Sequence, residues 1–100
     1  MMATRNLREY ALELLERWDD NVVLNKRMRN HIEKLPIADW WDLSRSGDGS
    51  ERVEIRTGGR YYYIYYWTNY LVDGWNPDRC VRVHKDSAVG KQIREMLHGA

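Results

Sequence analysis

Phenylalanine is absent from this 100-residue chain, cysteine occurs once and proline twice. The lone Cys80 has no second thiol to pair with, so packing rather than an internal cross-link has to hold the fold. No apolar run approaches the roughly 18 residues of a membrane span. The opening Met1-Met2-Ala3-Thr4-Arg5 leads into an amphipathic pattern rather than a secretory leader, which makes the cytoplasm the expected location. A strong charge imbalance is missing too: 16 Lys and Arg against 15 Asp and Glu leave +1. No global field therefore draws the chain to nucleic acid or anionic lipid, and any electrostatic footprint has to be local.

What is present in excess is tyrosine and tryptophan, seven and five residues. Both combine a large apolar body with a polar tip, which suits half-buried and interfacial positions. With 43% hydrophobic residues, a chain of this size supports one core and about two-thirds burial of its unfolded surface, leaving no room for a second domain. We expect a single α+β domain in three parts: helical over residues 1–36, antiparallel sheet over 37–85 and a C-terminal helix over 86–100.

Tyr10, Ala11, Leu14, Leu15 and Trp18 recur at helical spacing from Leu7 onward, predicting a helix near 5–19. Asn6 with Glu9 three residues on has the form of a capping box. Leu24, Met28, Ile32 and Leu35 repeat the stripe in a second helix near 22–34, with Asp20 or Asn21 as start signal and Pro36 as stop. After Pro36 the composition turns β-branched, aromatic and glycine-punctuated, predicting strands near 40–45, 51–57, 60–67 and 79–84, with 68–78 as a loop long enough to be functional. Asp86 or Ser87 caps a last helix whose buried stripe is Val89, Ile93, Met96 and Leu97, with Gly99 just past its end. The expected architecture is a three- or four-stranded antiparallel meander with the two N-terminal helices and the C-terminal helix on one face.

A two-residue hairpin at Gly58-Gly59 would set Thr57 opposite Arg60, Ile55 opposite Tyr62 and Val53 opposite Ile64, an apolar face suited to the core. On the other face Arg56 would meet Tyr61, Glu54 would meet Tyr63 and Arg52 would meet Tyr65, with Trp67 just beyond. Cys80, Arg82 and His84 would join that face from the last strand. Tyr rings with Arg guanidinium groups stack on bases and also anchor protein interfaces. The same pattern equally describes a solvated sheet surface, or ring bodies covered by one of the helices. Two further candidates are the basic run Lys26, Arg27 and Arg29 on the second helix, a contact for phosphates or an acidic partner or simply solvated surface, and Trp75 in the loop, a binding tip or a plug for the core.

Catalytic and metal patterns are not found. His31, His84 and His98 lie on different elements, and with one Cys no zinc-ligand spacing exists. Cys80 and His84 share a strand face but stand about 13 Å apart by strand rise, too far for a thiolate–imidazole pair. Gly90-Lys91 lacks the remaining residues of a phosphate loop. In size, aromatic richness and lack of catalytic spacing the chain resembles the small inhibitors that phages make against host defence systems, anti-CRISPR proteins among them, though these traits define no one family. The expectation is a non-enzymatic protein, monomer or dimer, without cofactor or metal. It would act stoichiometrically on a protein or nucleoprotein partner through Tyr61, Tyr63, Tyr65, Trp67, Arg52, Arg56, Arg82 and Trp75; the alternative is a nucleic-acid-binding module.

Overall fold

The computed structural model describes residues 6–17, 24–74 and 76–99. Along the chain these form α1 (Leu7–Arg17), α2 (Lys26–Glu33), β1 (Ile37–Asp42), β2 (Arg52–Thr57), β3 (Tyr61–Trp67), the single turn α3 (Tyr70–Asp73), β4 (Arg79–His84) and α4 (Ala88–Leu97). The strands make one antiparallel meander in the order β1-β2-β3-β4. None of the described helices is long and apolar enough to cross a membrane.

Local chemistry sets the helix starts. Asn6 Oδ1 accepts the Glu9 N–H at 2.8 Å, giving α1 its first cap. Ser87, rather than Asp86, caps α4, its hydroxyl accepting the Gly90 N–H. The second helix differs from expectation: Asn25 is its cap, accepting from Met28, so α2 begins at Lys26. The anticipated starts Asp20 and Asn21, like Trp18 and Trp75, lie outside the described residues.

β3 explains why the helices divide between two faces. Its sequence Tyr-Tyr-Tyr-Ile-Tyr-Tyr-Trp has no polar alternation, and a strand apolar on both sides needs cover on both. Tyr62 and Ile64 join Val53, Ile55, Val81 and Val83 in a core closed by Leu7, Ala11, Leu14 and Leu15 of α1 and Ile93 of α4. Tyr63, Tyr65, Trp67 and Cys80 face the other way and are closed by Ile32 of α2, with Leu24, Met28 and Leu35 around it. The expectation of all helices on one face is thus corrected: α2 crosses to the opposite face, and the sheet is the middle of three layers. Burying Tyr65 and Trp67, at about 150–250 Å² per ring system, stabilises this arrangement by up to about 4–6 kcal/mol each.

The hairpin also departs from expectation. Thr57 pairs with Tyr62, Ile55 with Ile64, Val53 with Tyr66, Arg56 with Tyr63, Glu54 with Tyr65 and Arg52 with Trp67, a register two residues from the one anticipated. Two-residue hairpin turns of the favoured kinds require positive φ, and neither Gly58 nor Gly59 adopts it. The connection instead spans Gly58 to Tyr61, whose carbonyl accepts the Gly58 N–H at 2.9 Å. Because the side-chain period is two, this slip changes every partner and leaves every face unchanged. β1 begins earlier than the anticipated 40–45, which puts Trp41 opposite Val53, on the α1 side, and Trp40 opposite Glu54, on the α2 side. The connection after β3 contains a helical turn where an irregular loop was expected; Thr68 donates to Asp78 at its base, and the Tyr70 N–H reaches the Ser50 carbonyl at 2.7 Å.

At Gly90, α4 lies directly on the turn that follows β4. A Cβ there would sit 2.1 Å from the His84 carbonyl oxygen and 2.7 Å from Lys85 Cα, whereas one at Gly59 would meet nothing within 4 Å. We expect Gly90→Ala to destabilise the fold by about 1–3 kcal/mol through forced backbone movement, with Gly59→Ala close to neutral, as read by urea denaturation of both variants.

Candidate functional site

Part of the set the sequence singled out, Arg52, Arg56, Tyr65 and Trp67, does come together, but around a buried carboxylate rather than on an open surface. Glu54, on β2 in the middle of the α2-covered face, is 1% exposed. Its Oε2 accepts from Arg52 at 2.7 Å and its Oε1 from Arg56 Nε at 2.5 Å. A carboxylate so removed from water requires such charge-assisted partners.

Each arginine then has a second task. The Arg56 guanidinium donates to the carbonyls of Glu33 at 2.6 Å and Leu35 at 3.1 Å, serving the unsatisfied and electronegative C-terminal end of α2. Arg52 lies among rings, 4.4 Å from the Tyr70 centroid, 4.8 Å from Trp40 and 5.9 Å from Trp67. Arg82 stacks on Tyr61 at 4.5 Å, and Arg29 donates to the Asn76 side chain at 2.6 Å.

The open aromatic face is therefore corrected: Tyr65 and Trp67 are fully buried, Tyr63 nearly so, and Tyr61, Arg52, Arg56 and Arg82 are half-buried. Among the described residues, only Lys26 and Arg27 of the anticipated contacts stand exposed, on α2. Desolvation raises the hydroxyl pKa of Tyr63 and Tyr65 and pushes the Cys80 thiol from its ordinary 9.0 up to about 12. Cys80 is thus a protonated core residue at neutral pH, not a nucleophile. Among the described residues no group of three or more His, Cys, Asp or Glu could hold a metal ion.

Exposed apolar surface lies instead at the rim of this face. Trp40 is 51% exposed, Leu71 67% and Val72 76%. Trp40, Arg52, Tyr70 and Leu71 line a groove of about 270 Å³ between β1 and α3, together with Asp42 and Asp48. Hydrogen bonding from Ser50, first through its backbone N–H, lowers the Asp48 carboxyl pKa to about 2, so it is ionised at any ordinary pH. Sequence reasoning missed Trp40 because the first strand, expected over 40–45, was given no register against its neighbour, which left open the face each tryptophan takes. The exposed pair of large aliphatics, Leu71-Val72, inside a presumed loop was the available signal. Fold and groove together define a small three-layer α+β domain with an exposed aromatic rim at Trp40. Comparison with protein-family models, curated proteins and solved structures returns no match.

The buried carboxylate and the buried thiol both affect stability in measurable ways. Replacing Glu54 by Gln strands two guanidinium groups away from full solvation and should cost about 3–5 kcal/mol. Arg17→Gln, which breaks the exposed pair with Glu13 on α1, should cost less than about 0.5 kcal/mol; chemical denaturation reads both. The raised thiol pKa means the native state keeps its proton longer than the unfolded chain, so stability from this source is intact below the ordinary 9.0 and is lost as pH rises towards about 12. Melting temperature should fall more steeply over that window for the wild type than for Cys80→Ala.

Proposed function

We propose that the protein acts stoichiometrically, without catalysis, by binding a protein partner through the groove between β1 and α3. The observation that supports this most is the exposure of Trp40 and Leu71 on one groove around a guanidinium already held in place. Interface hot spots are enriched in Trp, Tyr and Arg seated in desolvated pockets. Here Arg52 is fixed by Glu54, Trp40 and Tyr70 before any partner arrives, so little ordering entropy remains to oppose binding. Asp42 and Asp48 set the complementary chemistry. The fitting partner presents an apolar side chain next to a Lys or Arg, the first against Trp40 and Leu71 and the second towards the carboxylates. Its mode of action is occlusion of the partner's own surface.

Nucleic acid is the second reading, favoured by the exposed Lys26 and Arg27 on α2. It differs in salt dependence, since each phosphate contact to a single strand contributes a log-log slope of about −0.7.

The test is affinity capture from lysate followed by binding of the purified partner to wild type, Trp40→Ala and Leu71→Asp. We expect a nuclease-insensitive complex weakened by about 2 kcal/mol or more in each variant. Unchanged affinity in both, or turnover of a substrate at catalytic protein concentrations, would overturn the proposal. Capture abolished by nuclease and by high salt would favour the second reading.

A further inference from the structure

We propose that a second cleft, at the other end of the sheet from the Trp40 groove, binds a phosphate-bearing small molecule. Its volume is about 810 Å³, within the range of small-molecule sites. Three elements build it: the β2–β3 connection with Gly59 and Arg60, the turn after β4 with Lys85 and Asp86, and the end of α4 with Arg94 and His98.

The walls are tied to one another by backbone contacts. The Lys85 N–H donates to the Arg60 carbonyl at 2.8 Å, joining hairpin to turn. On the far side, the absence of a side chain at Gly90 lets α4 press onto the His84 carbonyl. Residues four apart share a helix face, so Gly90, Arg94 and His98 form one stripe, and the contact at Gly90 directs that stripe along the turn. Ser87 fixes the same junction, its hydroxyl donating to the His84 carbonyl at 2.6 Å while capping α4.

Charge gives the ligand class. Arg60, Lys85 and Arg94 line the cleft against one carboxylate, Asp86. None of the three forms an ion pair among the described residues, in contrast to Arg52 and Arg56 on the opposite side of the sheet. A concave surface carrying one sign of charge concentrates the field and attracts a multivalent counter-ion. Three cations suit a phosphate or linked phosphates better than a single carboxylate, and guanidinium groups can meet phosphate oxygens in pairs. The Lys85 ammonium is held 5.0 Å from the Tyr62 ring centroid, which orders it in advance. Tyr62, Ala38 and Leu97 add apolar lining for the body that carries the phosphate, and the open space at Gly59 leaves an entrance.

The experiment is calorimetric titration of the full chain at low salt with inorganic phosphate, pyrophosphate, adenosine triphosphate and a short single-stranded RNA, with sodium chloride as ionic-strength control. We expect pyrophosphate or the nucleotide to bind with one-to-one stoichiometry. Arg94→Gln and Lys85→Gln should each weaken binding about tenfold, while Arg8→Gln, an exposed cation on α1 outside the cleft, leaves it unchanged. None of the three substituted side chains belongs to either core, and circular dichroism checks that each variant is folded. Absence of binding at millimolar probe, or an equal loss in Arg8→Gln, would overturn the assignment. Tighter binding of the RNA than of every small anion, lost in the same two cleft variants, would overturn it in favour of a nucleic-acid strand. The groove variants Trp40→Ala and Leu71→Asp should bind phosphate like wild type, so failure of either site is separable from failure of the other.

Discussion

One carboxylate buried beneath α2 sets the terms for half of this structure. Glu54 sits where a β-strand side chain can neither reach water nor turn away, because β2 is a central strand and its neighbours are rings. The desolvation of such a group is offset only if cations come to it with good geometry. Arg52 and Arg56 are two residues to either side on the same strand, so the pleat delivers them to the same face. A buried ion triad of this kind contributes little net stability over an apolar alternative. Its effect is positional: Arg56 engages both Glu54 and the carbonyls ending α2, and so fixes where that helix lies on the sheet.

The consequence spreads along the strand in the other direction. Arg52, held by Glu54, cannot swing into solvent and becomes a surface on which Trp40 and Tyr70 rest. The groove is therefore an outgrowth of the core charge cluster rather than a separate surface feature. Rings packed on an immobile cation lose less freedom on association than rings on a flexible one, which links the buried chemistry of β2 to the proposed contact surface.

The opposite end of the sheet follows another logic. There the cations come from a hairpin connection, a turn and a helix end, and the backbone rather than a counter-charge holds them near one another. Near-zero net charge is thus compatible with strong local fields, since the anionic and cationic groups are not evenly mixed over the surface. The two concavities differ in chemistry for the same reason: one is built on charges already neutralised inside the protein, the other on charges left open.

Features resting on a few neighbouring residues were legible in the chain itself. Asn6 and Ser87 cap the helices they precede, the residues Leu24, Met28, Ile32 and Leu35 do pack into one cluster although only Met28 and Ile32 lie within α2, and the two faces of the β2–β3 ribbon are sorted as their period of two requires. Hairpin register was misread because the Gly58-Gly59 pair suggests a turn whose backbone sign it does not adopt, and the error was harmless to the faces because it was even. The side on which α2 packs, and with it the fate of the Tyr and Arg residues, was not legible. It depends on contacts between residues far apart in sequence, such as Arg56 with Glu33, 23 positions away, and Arg29 with Asn76, 47 positions away. Capping and periodicity are properties of one segment in water, so the sequence alone determined them; whether a ring or a guanidinium is exposed is a property of what lies over it, and only the tertiary structure decided that.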